Sequence, residues 1–161
     1  MKNLCHPLKT GLSFGLTSGV ITTLGLMVGL YFSTNSKVAV IGGILAIAVA
    51  DAFSDAAGIH VSEESEGRHS TKEIWQATAA TFVFKFLIAS TFLFPVILLS
   101  LGQALFLSVI WGIVLISGFS FFISKEKGVS LCKAVFEHLT IAFLVVFLTY
   151  LAGNLIGRMF D

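Results

Sequence analysis

Between Lys9 and Lys37 the sequence carries no charged residue, and four later runs, residues 38–60, 75–99, 103–123 and 134–157, come close to the same condition. A run of ~20 apolar residues at ~1.5 Å each crosses the ~30 Å of hydrocarbon in a bilayer. Inside that layer the backbone polar groups have to be satisfied by protein, which a helix does within its own segment. The runs therefore predict an all-α fold of five transmembrane helices, at about residues 11–32, 38–60, 75–99, 103–123 and 134–157, forming a single domain over 1–161. The chain is 56% hydrophobic and 12% charged, too apolar for an ordinary soluble domain. Five spans leave little chain for a soluble catalytic module, and no nucleophile and base share one membrane depth, so neither an enzyme nor a bound cofactor is expected. A net charge of +1 argues against nucleic acid as a partner. The segment MKNLCHPLKTG lacks the pattern of a cleaved signal peptide, and none is expected. Cys5 and Cys132 lack the spacing of a zinc or disulfide framework and read as plain thiols.

Basic residues give the orientation. With the N-terminus in the cytoplasm, Lys2, Lys9, Arg68, Lys72, Lys125, Lys127 and Lys133 fall on the inner side and only Lys37 and Arg158 on the outer. Five spans then put the C-terminus outside.

Two features break the apolar pattern. Asp51 and Asp55 lie four residues apart in the second span, which stacks both carboxylates on one helical face about 6 Å apart along the axis. Ionised groups near the bilayer centre cost ~3 to more than ~10 kcal/mol and so face a partner, water or an ion. The pair is either a cation site or one side of a helix–helix ion pair. Lys85, in the third span, is the matching cation. The second span has its middle near Val49 and the third near Leu87, so the aspartates and the lysine fall at one depth. Lys85 is expected as their counterion, the alternative being a side chain that snorkels to the headgroups.

In the first span Gly11, Gly15, Ser18, Thr22, Gly25 and Gly29 follow at steps of 4, 3, 4, 3 and 4, a face without bulk. Such a face admits another backbone. Gly15, Ser18, Thr22 and Gly25 are expected at a homodimer seam, the alternative being packing against another span of the same chain. Ser18 and Thr22 add hydroxyls to the cation path, unless they bond back to their own helix.

The second helix is expected to run to Glu66 and stop at Gly67. Beyond the membrane, Glu63, Glu64 and Glu66 with His60 form a candidate cytoplasmic mouth for metal, and His69 and Glu73 are further ligand types nearby. Ser70 followed by Glu73 reads as a capping box that opens the third helix and accounts for Glu73 without a metal. A solvated loop is the other reading of the cluster. Glu137 and His138 open the last span, and Glu137 is favoured there electrostatically in any case.

With these residues in view, the chain resembles the vacuolar iron transporter family. GLTSGVITTLGLMVGL, residues 15–30, is similar to the family's first-span motif, Asp-Gly-Leu-Val-Thr-Thr followed by glycine and small residues. ADAFSDAAGIHVSEES, residues 50–65, is similar to the second-span motif, close to Ala-Gly-Ala-Leu-Ser-Met-Ala-Ala-Gly-Glu-Tyr-Val-Ser, and FLTYLAGNLIGRMF to the fifth span. The resemblance implies a five-span homodimer that carries iron(II) or manganese(II) out of the cytosol. The family's first-span acid falls at Ser18, its second-span methionine at Asp55 and its glutamate after the shared glycine at Ile59. The long cytoplasmic metal-binding insert of the plant members is missing.

The resulting expectation is a multi-pass membrane protein, in the cell membrane of a prokaryote or in a vacuolar or other organelle membrane. Its function is export of a divalent cation, driven by proton exchange. Asp51 and Asp55 would hold the ion, with Ser18 and Thr22 beside it. The alternative is a membrane scaffold that keeps the fold while Lys85 permanently takes the cation's place.

Overall fold

The computed structural model describes residues 6–127 and 130–160. Lys2 and Cys5 fall outside the described residues. Helix α1 runs His6–Thr34, α2 Lys37–Ala46 and α3 Ala52–Glu66, with a π turn over Ile47–Asp51 joining the last two into one rod. Helix α4 covers Thr71–Thr91 and α5 Leu93–Leu98, α6 Leu101–Lys127 and α7 Leu131–Phe160. Among the described residues there is no strand, and five rods are long and apolar enough to cross a membrane. The chain is a multi-pass integral membrane protein. The rods overrun the expected spans by a few residues at most ends.

The helix ends follow local chemistry. Asn35, at φ 43°, closes α1 in the left-handed region that asparagine tolerates. Ser36 then caps α2, its side chain accepting from the Ala39 N–H at 3.3 Å. Gly67, at φ 64°, stops α3 where the sequence predicts a stop. The Ser70–Glu73 capping box is present in both directions, Glu73 N–H to Ser70 Oγ at 3.4 Å and Ser70 N–H to Glu73 Oε2 at 3.0 Å. The third rod departs from the single helix expected. It breaks at Phe92, because Pro95 has no N–H to give and its ring crowds the carbonyl four residues back, at Thr91. Lys37 Nζ donates to the Ile97 and Leu99 carbonyls, each at 3.0 Å, and so caps the end of that rod from the neighbouring one.

Helix α1 is the centre of the bundle, packed chiefly against α4 on one side and α7 on the other, while α3 packs on α4 and α6 on α7. The glycine stripe makes both close approaches. A Cβ on Gly15 would lie 2.6 Å from the Thr81 carbonyl oxygen and 3.2 Å from the Lys85 backbone nitrogen, both on α4. One on Gly25 would lie 2.9 Å from Val145 Cγ1 on α7. From the other partner, Gly153 of α7 would meet the Gly29 carbonyl oxygen at 2.5 Å. These contacts correct the homodimer seam expected at Gly15 and Gly25. Both glycines are buried by their own chain, since a side chain at either would push two spans apart. Ser18 and Thr22, on the same stripe, are only half-buried.

The apolar core occupies the half of the bundle nearest the α1–α2 turn. Val20, Leu24 and Met27 of α1 meet Val40 and Ile44 of α2, Phe92 and Val96 of the broken third rod, Ala104 and Ile116 of α6 and Ala142 of α7. The polar side chains described next lie beyond this core, towards the end where α1 begins.

Candidate functional site

Lys85 is completely enclosed, with none of its side chain accessible. Its position follows from Gly15, whose missing side chain lets the α4 backbone approach α1 and brings Lys85 beside Ser18, one turn further along α1. The ammonium lies 2.5 Å from Asp51 Oδ2, as an ion pair outside hydrogen-bond alignment. It also donates to Asp55 Oδ2, and to Ser18 Oγ at 2.9 Å. Ser18 in turn donates to Asp55 Oδ2 at 2.6 Å. Three rods thus meet at one buried ionic centre. The Asp51 side chain is 34% exposed and that of Asp55 19%, so the centre opens along α3.

The π turn ends on Asp51, and its wide bond runs from the Ala52 N–H to the Ile47 carbonyl. Two carboxylates face one ammonium, leaving a formal surplus of one negative charge when all three are ionised. Chemically, the arrangement can hold a proton or a cation beside Lys85. Its donors are oxygens, which suit manganese, magnesium and calcium, with iron(II) tolerated.

The other expected residues are dispersed. The Thr22 hydroxyl donates to the Ser18 carbonyl at 2.8 Å and that of Thr17 to the Ser13 carbonyl at 2.8 Å, so both bond back to α1. His60 is bound to α4, with Nδ1 at 2.9 Å from Thr78 Oγ1 and its ring edge-on to Trp75. Glu64 and Glu66 are exposed, whereas Glu63 is buried against His69, Oε2 to Nδ1 2.9 Å. The expected mouth of His60, Glu63, Glu64 and Glu66 is therefore not assembled as one group. Within the last turn of α3, Glu63 points inward and Glu64 and Glu66 outward. Glu137 is exposed, its Oε1 4.0 Å from Lys133 Nζ. His138 Nδ1 lies 2.8 Å from Ser120 Oγ and ties α7 to α6. Cys132 is a free, exposed thiol.

Sequence reasoning missed His6, which the start of α1 brings next to His69, their rings stacked at 5.8 Å between centroids. No motif links positions 6 and 69, so only the packing of α1 against the α3–α4 turn discloses the pair. Set against family models, curated proteins and solved structures, the chain matches none of them.

Proposed function

We propose that the chain is a transporter of divalent transition-metal cations, iron(II) or manganese(II), which it carries out of the cytosol by proton exchange as a homodimer. The observation that carries this reading is the charge imbalance at the ionic centre. Two carboxylates sit one helical turn apart where three membrane-spanning rods meet, and a single, fully buried lysine answers them. A dication arriving there displaces the ammonium, and charge balances once the lysine's proton leaves. Protonation from the far side reverses the step and releases the ion. Asp51, a third exposed at mid-span depth, has to face water, an ion or a second subunit rather than lipid. That requirement supports both a path along α3 and an assembly that covers it. The excess of basic residues at the end where α1 begins supports a cytoplasmic N-terminus and an external C-terminus.

A second reading has its own observation. Lys85 is fully buried and already contacts Asp51, Asp55 and Ser18, as it would in a scaffold that has given up transport. One experiment separates the two. The protein is reconstituted in liposomes and uptake of Mn(II) and Fe(II) is followed with and without a pH gradient. The transport reading expects uptake that responds to the gradient and is lost in both Asp51→Asn and Asp55→Asn. Normal uptake in both variants rejects the carboxylates as the site. No uptake by the wild type together with uptake by Lys85→Met favours the scaffold.

A further inference from the structure

We infer that His6, Glu63 and His69 form a transition-metal site at the end of the bundle where α1 begins, separate from the ionic centre. The inference stands whether or not ions cross the bundle. The three residues come from three places in the chain, the first residue of α1, the last turn of α3 and the turn before α4. One ligand atom from each lies within 4.8 Å of the others. A common ion at ~2.0–2.2 Å from each ligand requires the widest of these gaps to close somewhat. His6 is exposed and on the first turn of its helix, and its ring already stacks on His69, so a side-chain rotation there disturbs no buried packing.

Two further observations point to a ligand. Glu63 is only 3% exposed although it is a carboxylate near a helix end, where its neighbours Glu64 and Glu66 face solvent. A buried carboxylate is costly without a charged or metal partner. In addition, Glu63 Oε2 and His69 Nδ1 are both buried and neither has an aligned hydrogen bond, despite lying 2.9 Å apart. A carboxylate oxygen and an imidazole nitrogen buried that close without a hydrogen bond between them are two atoms that one cation can bind together. Two imidazole nitrogens and one carboxylate oxygen suit Zn(II), Co(II), Ni(II) or Fe(II) better than Mg(II) or Ca(II), and leave a position for water. An ion there would pin the start of α1 to the α3–α4 turn.

The test uses the full-length protein in detergent micelles, stripped with a chelator and titrated with Co(II) while its ligand-field absorption is followed. Zn(II) serves as a competitor. The expected result is a saturable band, displaced by Zn(II), whose affinity falls in His6→Ala and His69→Ala by at least the ~10-fold that loss of even an outer partner costs. The band persists in Asp51→Asn/Asp55→Asn. Because Glu63 is buried, Glu63→Gln carries the risk of misfolding, and His6→Ala at an exposed position is the variant that decides. The inference is overturned if the wild type develops no band, or if His6→Ala binds Co(II) like the wild type. It is equally overturned if the aspartate variant alone abolishes the band, which would put the ion at the interior centre.

Discussion

Lys85→Met removes the ammonium while keeping most of the side chain's length and volume. It leaves Asp51 and Asp55 on one face of the second rod, with Ser18 as the remaining donor to Asp55. Removing one partner from a buried ion pair costs ~3–5 kcal/mol, because the other charge stays behind uncompensated. The two aspartate side chains are 34% and 19% exposed, so the lower end of that range applies. A loss of ~3 kcal/mol is about a hundredfold in the unfolding equilibrium. Titration with sodium dodecyl sulfate from mixed micelles measures it, with the fluorescence of Trp75 and Trp111 as the signal. Trp111 is a useful reporter because its indole N–H donates to Thr91 Oγ1 at the break in the third rod, at 3.0 Å.

The pairing also makes a prediction about combinations. Asp55→Asn keeps size and removes charge, so the double variant Lys85→Met/Asp55→Asn should recover much of what Lys85→Met loses. Residues in one network couple by ~0.5–3 kcal/mol in such cycles. Under the transport reading, Mn(II) should stabilise Lys85→Met by occupying the freed carboxylates, by ~2.7 kcal/mol at a hundred times Kd. Additive losses in the double variant, or a Lys85→Met protein as stable as the wild type, would refute the argument that these charges hold one another.

Three further predictions concern the helix packing, the orientation and Ile59. Gly15→Ala sets a methyl 2.6 Å from the Thr81 carbonyl and Gly153→Ala one 2.5 Å from the Gly29 carbonyl, so each should destabilise the monomer by ~1–3 kcal/mol in the same titration. Were either neutral, that interhelical approach would be looser than described. Single cysteines at Asn35 and Ser65 test the orientation, since an impermeant thiol reagent applied to cells should label Asn35→Cys and spare Ser65→Cys, and the opposite pattern inverts the topology. Ile59 is nearly buried and lies on the α3 face between Glu63 and Asp55. Under the transport reading, Ile59→Glu should speed Mn(II) uptake in liposomes at some loss of stability, and unchanged uptake would show that Ile59 is no barrier.

Much of this was legible from residue type alone. Five charge-poor runs are sufficient for five membrane rods, and Gly67 and the Ser70–Glu73 pair mark a helix stop and start because left-handed backbone and orphan N–H groups select those residues. The matching depths of Asp51, Asp55 and Lys85 could be counted along the spans. The partner of the small-residue stripe could not, because a face without bulk accepts a neighbouring span and a second subunit equally well. Gly11, Gly15 and Gly19 turn out to receive α4, Gly25 and Gly29 α7. His6 stayed hidden for a related reason, since nothing in one sequence says that the start of α1 abuts the turn after α3.

The π turn ties these pieces together. Val40, Ile44, Ala48, Ala52 and Ala56 are all buried, at successive steps of four. In an ideal α-helix each such step overruns a full turn by ~40°, so four of them carry a face ~160° around the rod and out of the bundle. Widening one turn, with the Ala52 N–H reaching the Ile47 carbonyl, takes back about one residue, or ~100°. The second rod thereby keeps one side against the bundle from Val40 to Glu63. The residue at which the correction is completed is Asp51, which with Asp55 meets Lys85, while Glu63 further along meets His69. A regular helix with the same sequence would direct either its alanines or its aspartates away from α4. The local distortion is therefore what allows a close-packed alanine face and a buried charge centre to share one helix.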